Sequence, residues 1–428
     1  MSSPGVEILP IVSLGAIAPF GLLLLTIALA PLLHRGWWER SYRWVAGGLG
    51  LVTVVYYLAG LHDPARVVET GRDYLGFIVL IGALFVVTGG IRVTVPEGTA
   101  TPFSNVLFLA AGAGLANLIG TTGAAMLLIR PWMGLNRNRL QPYHIVFFIF
   151  VVANLGGCLT PVGDPPLFIG YLKGVPFFWT GTHLAAVWAV GVGAVLAIFA
   201  VIDGIAFRRL PSPAGKAAGS PLAGWAVSGG FNFALLAAIL GAIFLPPLWR
   251  VGVMAAAALL SLRLTPRAIH AANDFSFHPI EEVAWLFAGI FATMMPALDL
   301  LQTQAGGLGI DTPGKFYWIT GGLSALLDNA PTYLTFLTAA LGLHGLSIDR
   351  PAEVLTALAT QGRTVAAISA GAVFFGAMTY IGNGPNFMVR TIAERAGVRV
   401  PGFFGYLFRY AVPVLLPVLF VVYWIFFR

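Results

Sequence analysis

The chain has 428 residues, 58% of them hydrophobic and only 10% charged, with a formal net charge of +7. Soluble domains carry about 25% charged residues, so this composition excludes a soluble enzyme or a structural module and describes a polytopic membrane protein. Its 24 Lys and Arg are scattered through short loops, which argues against nucleic acid as a partner and for the lipid bilayer.

In chain order, the first apolar run covers residues 14–33, long enough to cross a bilayer at roughly 20 residues per helix. Arg35, Arg40 and Arg43 follow, with Trp37, Trp38 and Trp44 as interfacial anchors. Further spans are expected over 44–61 and 74–91. Residues 103–129 are apolar but broken by Asn117 and by Gly120-Thr-Thr-Gly123. A plain span has no use for a polar knot at its centre, whereas a re-entrant hairpin places the knot at its tip. The next run is interrupted from Asn154 to Phe168 by Asn-Leu-Gly-Gly-Cys-Leu-Thr-Pro-Val-Gly-Asp-Pro-Pro-Leu-Phe. Gly156 and Gly157 weaken a helix there, and Pro161, Pro165 and Pro166 each remove a backbone donor. Unwound chain at that depth must be buried in protein or line a wet cavity. The segment therefore reads as half of a binding site.

A span over 182–206 leads to a Pro/Gly/Ser-rich linker at 208–224, which carries Arg208, Arg209 and Lys216. Runs at 231–248, 251–262 and 283–301 follow, the second of them short for a crossing. Residues 314–341 form a second interrupted segment, with Leu327-Asp-Asn-Ala-Pro-Thr332 at its middle. Residues 364–389 form a second broken helix, interrupted by Thr379-Tyr-Ile-Gly-Asn-Gly-Pro-Asn-Phe387, and 403–427 is the last span.

The order span, polar-tipped segment, broken helix, span thus occurs twice. Thr160-Pro-Val-Gly-Asp-Pro-Pro-Leu-Phe168 aligns with Thr379-Tyr-Ile-Gly-Asn-Gly-Pro-Asn-Phe387, setting Asp164 opposite Asn383. An odd number of crossings between the repeat starts makes the repeats inverted, with the site at the midplane between them. The expected fold is an all-α polytopic membrane protein of about ten transmembrane helices, two re-entrant hairpins and two inverted repeats with discontinuous helices. Its parts are scaffold helices at 1–73, a first repeat at 74–207, a linker with connecting helices at 208–280, and a second repeat at 281–428. The side bearing Arg35, Arg92, Arg137 and Arg208 holds most of the loop Lys and Arg and should be cytoplasmic, in a cytoplasmic (inner) membrane.

Two intramembrane acids stand out, Asp164 and Asp328, and such residues are functional-site candidates by default. A carboxylate held away from water can exchange its proton for a metal cation near neutral pH. Around them stand hard oxygen donors: Thr121, Thr122, Asn154 and Thr160 in one half, and Asn329, Thr332, Thr379, Asn383 and Asn386 in the other. Oxygen-only ligands suit sodium or lithium rather than a transition metal, and Asp164, Asn154, Thr160 and Asn329 are the expected cation ligands. The bland alternative is that both aspartates only cap broken helices. Asp203 reads as interfacial or loop-paired, and Asp299 as a weaker relay candidate. His144 and His183 border the first broken helix and read as packed or interfacial. Arg130 and Arg363 could meet an anion but read first as snorkelling or loop cations.

At Asn154-Leu-Gly-Gly, Thr160-Pro-Val-Gly-Asp164 and Leu327-Asp-Asn-Ala-Pro-Thr332 the sequence resembles the ion transporter superfamily. Its nearest likeness there is to the D-type sodium/proton antiporters and the related citrate-transporter family. That resemblance covers residues from about 74 to the end. It implies a scaffold and a transport domain, an elevator-like motion and a homodimer. The chain departs from the antiporter pattern at Gly120-Thr121, where an Asp-Asn pair is usual, and at Gly382-Asn-Gly-Pro-Asn386. The expected function is sodium/proton antiport by alternating access, with sodium and protons as transported or coupling ions and no resident cofactor. The alternative is a sodium- or proton-coupled carrier of citrate-like carboxylates or another small anion. An intramembrane aspartyl protease fits poorly, because Leu327 precedes Asp328 and Pro161 stands where that class has Gly.

Overall fold

The computed structural model describes residues 12–210 and 224–428. Most of the 208–224 linker, with Lys216, lies outside the described residues. The first half runs α1 (Ala18–Leu33), α2 (Arg35–Val55), α3 (Pro64–Gly89), β1 (Arg92–Thr94), α4 (Pro102–Leu135), α5 (Pro142–Val151), α6 (Pro165–Leu172) and α7 (Trp179–Arg208). The second runs β2 (Ala226–Ser228), α8 (Phe231–Ala242), α9 (Pro247–Leu264), α10 (Arg267–Ala272), α11 (His278–Gln304), α12 (Pro313–Ser324), α13 (Asn329–Gly342), α14 (Pro351–Phe375) and α15 (Gly384–Arg395). The chain closes with α16 (Phe403–Tyr406) and α17 (Leu416–Val422), which belong to one helical run to Phe427. Strands β1 and β2 pair antiparallel and tie the two halves together. Among the described residues eight helical segments are long and apolar enough to cross a membrane, and α8 is a shorter apolar helix. The protein is an all-α polytopic membrane protein. The doubtful run at 251–262 gains a turn from Pro247, which sits at the start of α9, where its missing N–H costs nothing.

The polar knot at 120–123 is the turn of a hairpin. A straight helix of the length of α4, 34 residues, would extend about 51 Å at 1.5 Å per residue. Its two ends instead meet: Asn105 Nδ2 donates to Asn136 Oδ1 at 2.8 Å, and the Gly98 N–H donates to the Gly134 carbonyl at 2.9 Å. Phe108 packs on Trp132 across the arms, with ring centroids 5.4 Å apart. The chain reverses at Gly120, whose φ of 77° and ψ of 154° only glycine adopts readily. Helices α12 and α13 make the second hairpin, with Phe316 against Phe336 at 6.4 Å and residues 325–328 at the tip.

The two halves are inverted. Along α3 and α11, Tyr74 meets Phe291, Phe77 meets Phe287, and Gly82 lies beside Ile280, so the helices run antiparallel. Each leads into its own hairpin, and the hairpin bases therefore lie on opposite faces. The outer pair α1–α2 packs on α11, and α8–α9 packs on α3, so each pair covers the first long helix of the other half. The same exchange occurs at the centre, where α6 packs on α13 and α15 on α4.

Between α5 and α6 the chain makes a 3-10 turn at Leu155–Leu159 and then unwinds; between α14 and α15 it does the same at Gly376–Met378. Both stretches fold so tightly that a side chain is barred. A Cβ at Gly157 would lie 2.5 Å from the Gly163 carbonyl, and one at Gly382 would lie 2.7 Å from that of Ser324. Gly157→Ala and Gly382→Ala are each expected to cost about 1–3 kcal/mol of stability, as overpacking does. Thermal unfolding in detergent checks this, with Gly48→Ala as the near-neutral control, since no atom lies within 4 Å of a Cβ there.

Candidate ion-binding site

The two unwound stretches cross at Asp164. Its side chain is fully buried and sits at the N-cap position of α6, yet it caps nothing in that helix. It turns inward instead. Oδ1 accepts from the Thr121 hydroxyl at 2.7 Å and from Asn383 Nδ2 at 3.1 Å, and Oδ2 accepts from Asn329 Nδ2 at 2.6 Å. The donors come from the first hairpin tip, the second broken helix and the second hairpin tip. Asp164 and Asn383 are repeat mates 219 residues apart, and their bond lies where the halves meet.

All three partners are neutral. An isolated carboxylate taken out of water costs several kcal/mol unless a counter-charge joins it, so this group needs a proton or a cation. One further atom points the same way. Asn329 is completely buried, and its Oδ1 has no hydrogen-bond partner. An unpaired acceptor beside a buried carboxylate supplies a second oxygen for a dehydrated hard cation.

Most of the remaining polar residues singled out by the sequence build the frame behind Asp164. Asn154 Nδ2 donates to Asn386 Oδ1 at 2.6 Å and to the Ile149 carbonyl at 2.8 Å, while its Oδ1 accepts from Asn383 at 3.2 Å. Asn386 Nδ2 donates to the carbonyls of Gly376 and Thr379. The two repeat threonines do the same work: Thr160 donates to the Asn117 carbonyl at 2.5 Å and Thr379 to that of Ala325 at 2.6 Å, each tying unwound chain to its own hairpin. Thr332 donates to the Asp328 carbonyl. Thr122 faces a cleft lined by Leu80, Leu84, Pro161 and Phe168 beside the first tip.

Asp328 is used differently from Asp164. It is the N-cap of α13 and accepts from the Ala330 N–H at 3.0 Å, and its neighbour Asn329 reaches the shared carboxylate. The two carboxylates remain close enough to interact electrostatically. Asp203 is fully buried and accepts from Arg139 at 2.5 Å, Tyr143 at 2.7 Å and Asn105 at 3.0 Å, with His144 at 3.2 Å; this cluster fixes the first hairpin base to α7. Asp299 is held by Arg66 at 2.7 Å and Tyr57 at 2.5 Å. His183 stacks on Trp179, Arg130 pairs with Asp274, and Arg363 donates to the carbonyls of Phe426 and Arg428.

One contributor was seen in the sequence only as an interruption. Asn117 is 7% exposed, donates to the Gly156 carbonyl at 2.7 Å and accepts from the Leu159 N–H at 2.8 Å, so it holds the first hairpin against the unwound chain. Its signal was an amide in an apolar run, one helical turn before a glycine tip.

Inverted repeats with crossing unwound helices around a buried carboxylate define a secondary transporter. The chain matches the family described as "Putative citrate transport" over residues 10–427 and belongs to it. No curated protein matches the chain.

Asn154→Ala takes the buried donor away from Asn386 Oδ1, while Asn383 Nδ2 keeps Asp164 and the Ala153 carbonyl. It is expected to destabilise the protein by about 1–3 kcal/mol for each group orphaned. Thermal unfolding in detergent measures this, and Thr182→Ala, at an exposed hydroxyl, is the control.

Proposed function

We propose that this transporter exchanges sodium for protons by alternating access and that Asp164 carries the two ions in turn. The observation behind this reading is a fully buried carboxylate whose partners are all neutral. Such a group must be compensated, and a proton and a sodium ion would compete for the same two oxygens, so one enters as the other leaves. The Thr121 hydroxyl suits both forms, because it can donate to the carboxylate or accept from the acid. Asp164, Thr121 and Asn329 would hold the cation. Asn154, Thr160, Thr379, Asn383 and Asn386 position them, and Asp328 is the second carboxylate within the field of the site. Helices α3 and α11 with the outer pairs form the scaffold in this reading, and the two re-entrant hairpins with the broken helices form the moving bundle. A homodimer in the cytoplasmic membrane completes it.

The family description favours a second reading, a sodium- or proton-coupled carrier of citrate-like carboxylates. Among the described residues no ion pair reaches Asp164, so such an anion would rely on helix N-termini, backbone N–H groups and the bound cation itself.

Proton flux in proteoliposomes separates the two readings. Sodium or lithium added alone is expected to drive proton exit, and Asp164→Asn to abolish it. Asn329→Ala is expected to raise the half-saturating sodium concentration about tenfold, the equivalent of one lost ligand at about 1.4 kcal/mol. Thr121→Ser should keep exchange and Thr121→Val lose most of it. Citrate uptake that needs sodium or protons, with no proton movement on sodium alone, would replace antiport by the carrier reading.

A further inference from the structure

A buried ion network lies on the face opposite the base of the first hairpin. Asp349, in the loop between α13 and α14, accepts from Lys173 at 2.7 Å through Oδ1 and from Arg66 at 2.9 Å through Oδ2. Lys173 stands at the C-terminal end of α6 and also pairs with Asp73 at 2.8 Å and Glu69 at 3.2 Å, both on α3. Arg66, on α3, pairs in turn with Asp299 of α11 at 2.7 Å. Only 7% of the Lys173 side chain and 9% of that of Arg66 is exposed. No feature of the local sequence announces this cluster, because its partners lie up to 283 residues apart.

The elements it joins belong to different parts of the fold. Helix α6 and the 343–350 loop are continuous with the hairpins and broken helices around Asp164, whereas α3 and α11 carry the outer helix pairs. Helix α6 is one unbroken rod with Asp164 at its first end and Lys173 at the other, about 14 Å apart at 1.5 Å per residue. If the Asp164 end slides along α3, Lys173 must travel with it and leave Asp73 and Glu69. On the opposite face the first hairpin meets the α10–α11 loop through Arg130 and Asp274, where the Asp274 side chain is 75% exposed. An exposed pair of that kind holds weakly. The network can nevertheless open, because Glu69 and Asp73 are 43% and 22% exposed and water can take over the separated charges.

We propose that Asp349, Lys173 and Arg66 form a latch that holds the Asp164 bundle against α3 and α11 in the conformation described here and must release for the bundle to move. The latch rests on the alternating-access reading but not on which ion is carried. Its Asp349 carboxylate stays charged at neutral pH. Burial pushes the Asp349 carboxyl up, but Arg66 and then Lys173 outweigh that and hold it below its ordinary value of 3.8. A depressed value contributes stability above the unfolded-state pKa that is lost only as pH falls below it.

Hydrogen exchange on the reconstituted full chain tests the latch. Asp349→Asn is expected to speed exchange of residues 64–73 and 169–175 about tenfold and to leave the tip at 119–123 unchanged, as a local opening does. Turnover should change by about threefold or more with the half-saturating sodium concentration unchanged, a split that separates motion from binding. Lys173→Gln should reproduce both effects, and Asp349→Glu should restore wild-type behaviour. Should Asp349→Asn fail to fold, Asp73→Asn removes a single Lys173 partner and should give the same pattern at smaller size. Wild-type exchange and turnover in the folded variants would overturn the latch, as would faster exchange spread over the whole chain. Full ion flux in Asp164→Asn would instead overturn the transport reading, so the two failures are distinguishable.

Discussion

The structure depends on keeping one carboxylate in the middle of an apolar protein. Among the described residues Asp164 has no ion-pair partner, and it receives its hydrogen bonds from a hydroxyl and two amides. These donors stand on α4, on α13 and at the N-cap of α15, so neither half of the chain completes the site alone. Neutral donors soften the cost of burying the charge without cancelling it, which leaves the group dependent on a proton or a bound cation. A lysine or arginine in the same place would have closed the site permanently.

That requirement explains why the unwound chain is so firmly built. Helix ends leave backbone groups unpaired, and at this depth no lipid can satisfy them. Asn117, Asn154, Asn386, Thr160 and Thr379 take up those groups one by one. Gly157, Gly163, Gly376 and Gly382 let the strands of unwound chain touch. The frame of unwound chain around Asp164 is thus made of neutral hydrogen bonds, while the bundle's bond to α3 and α11 near Lys173 is made of charges that water can take over. Under the alternating access proposed above, a bundle that stays intact while it shifts needs that difference.

Much of this was legible in the sequence because its causes are local. Apolar runs, glycine pairs and prolines mark where helices begin, break and reverse, and the alignment of Thr160–Phe168 with Thr379–Phe387 exposed the repeat. The hairpin at Gly120 followed from a polar knot that no straight span could carry. The roles of neighbouring residues were not legible. Asp328 and Asn329 are adjacent, yet the aspartate caps α13 and the asparagine reaches Asp164, a choice made by the direction in which the second hairpin enters. Nothing in the local sequence marks Lys173 and Arg66, and only packing brings them together on Asp349.

The sequence by itself determined that the chain lives in a membrane, that it is built from two inverted copies of one plan, and that Asp164 lies in unwound chain. These follow from composition, from local breaks in apolar runs, and from the likeness of residues 160–168 to 379–387. Tertiary structure decided which oxygens meet. The donors to Asp164 stand 43, 165 and 219 residues away along the chain; the repeat pairs Asp164 with Asn383 by position, but nothing in the sequence says that their side chains or those of Thr121 and Asn329 touch. They are fixed by how α6 packs on α13 and α15 on α4, where close packing permits one register and no other.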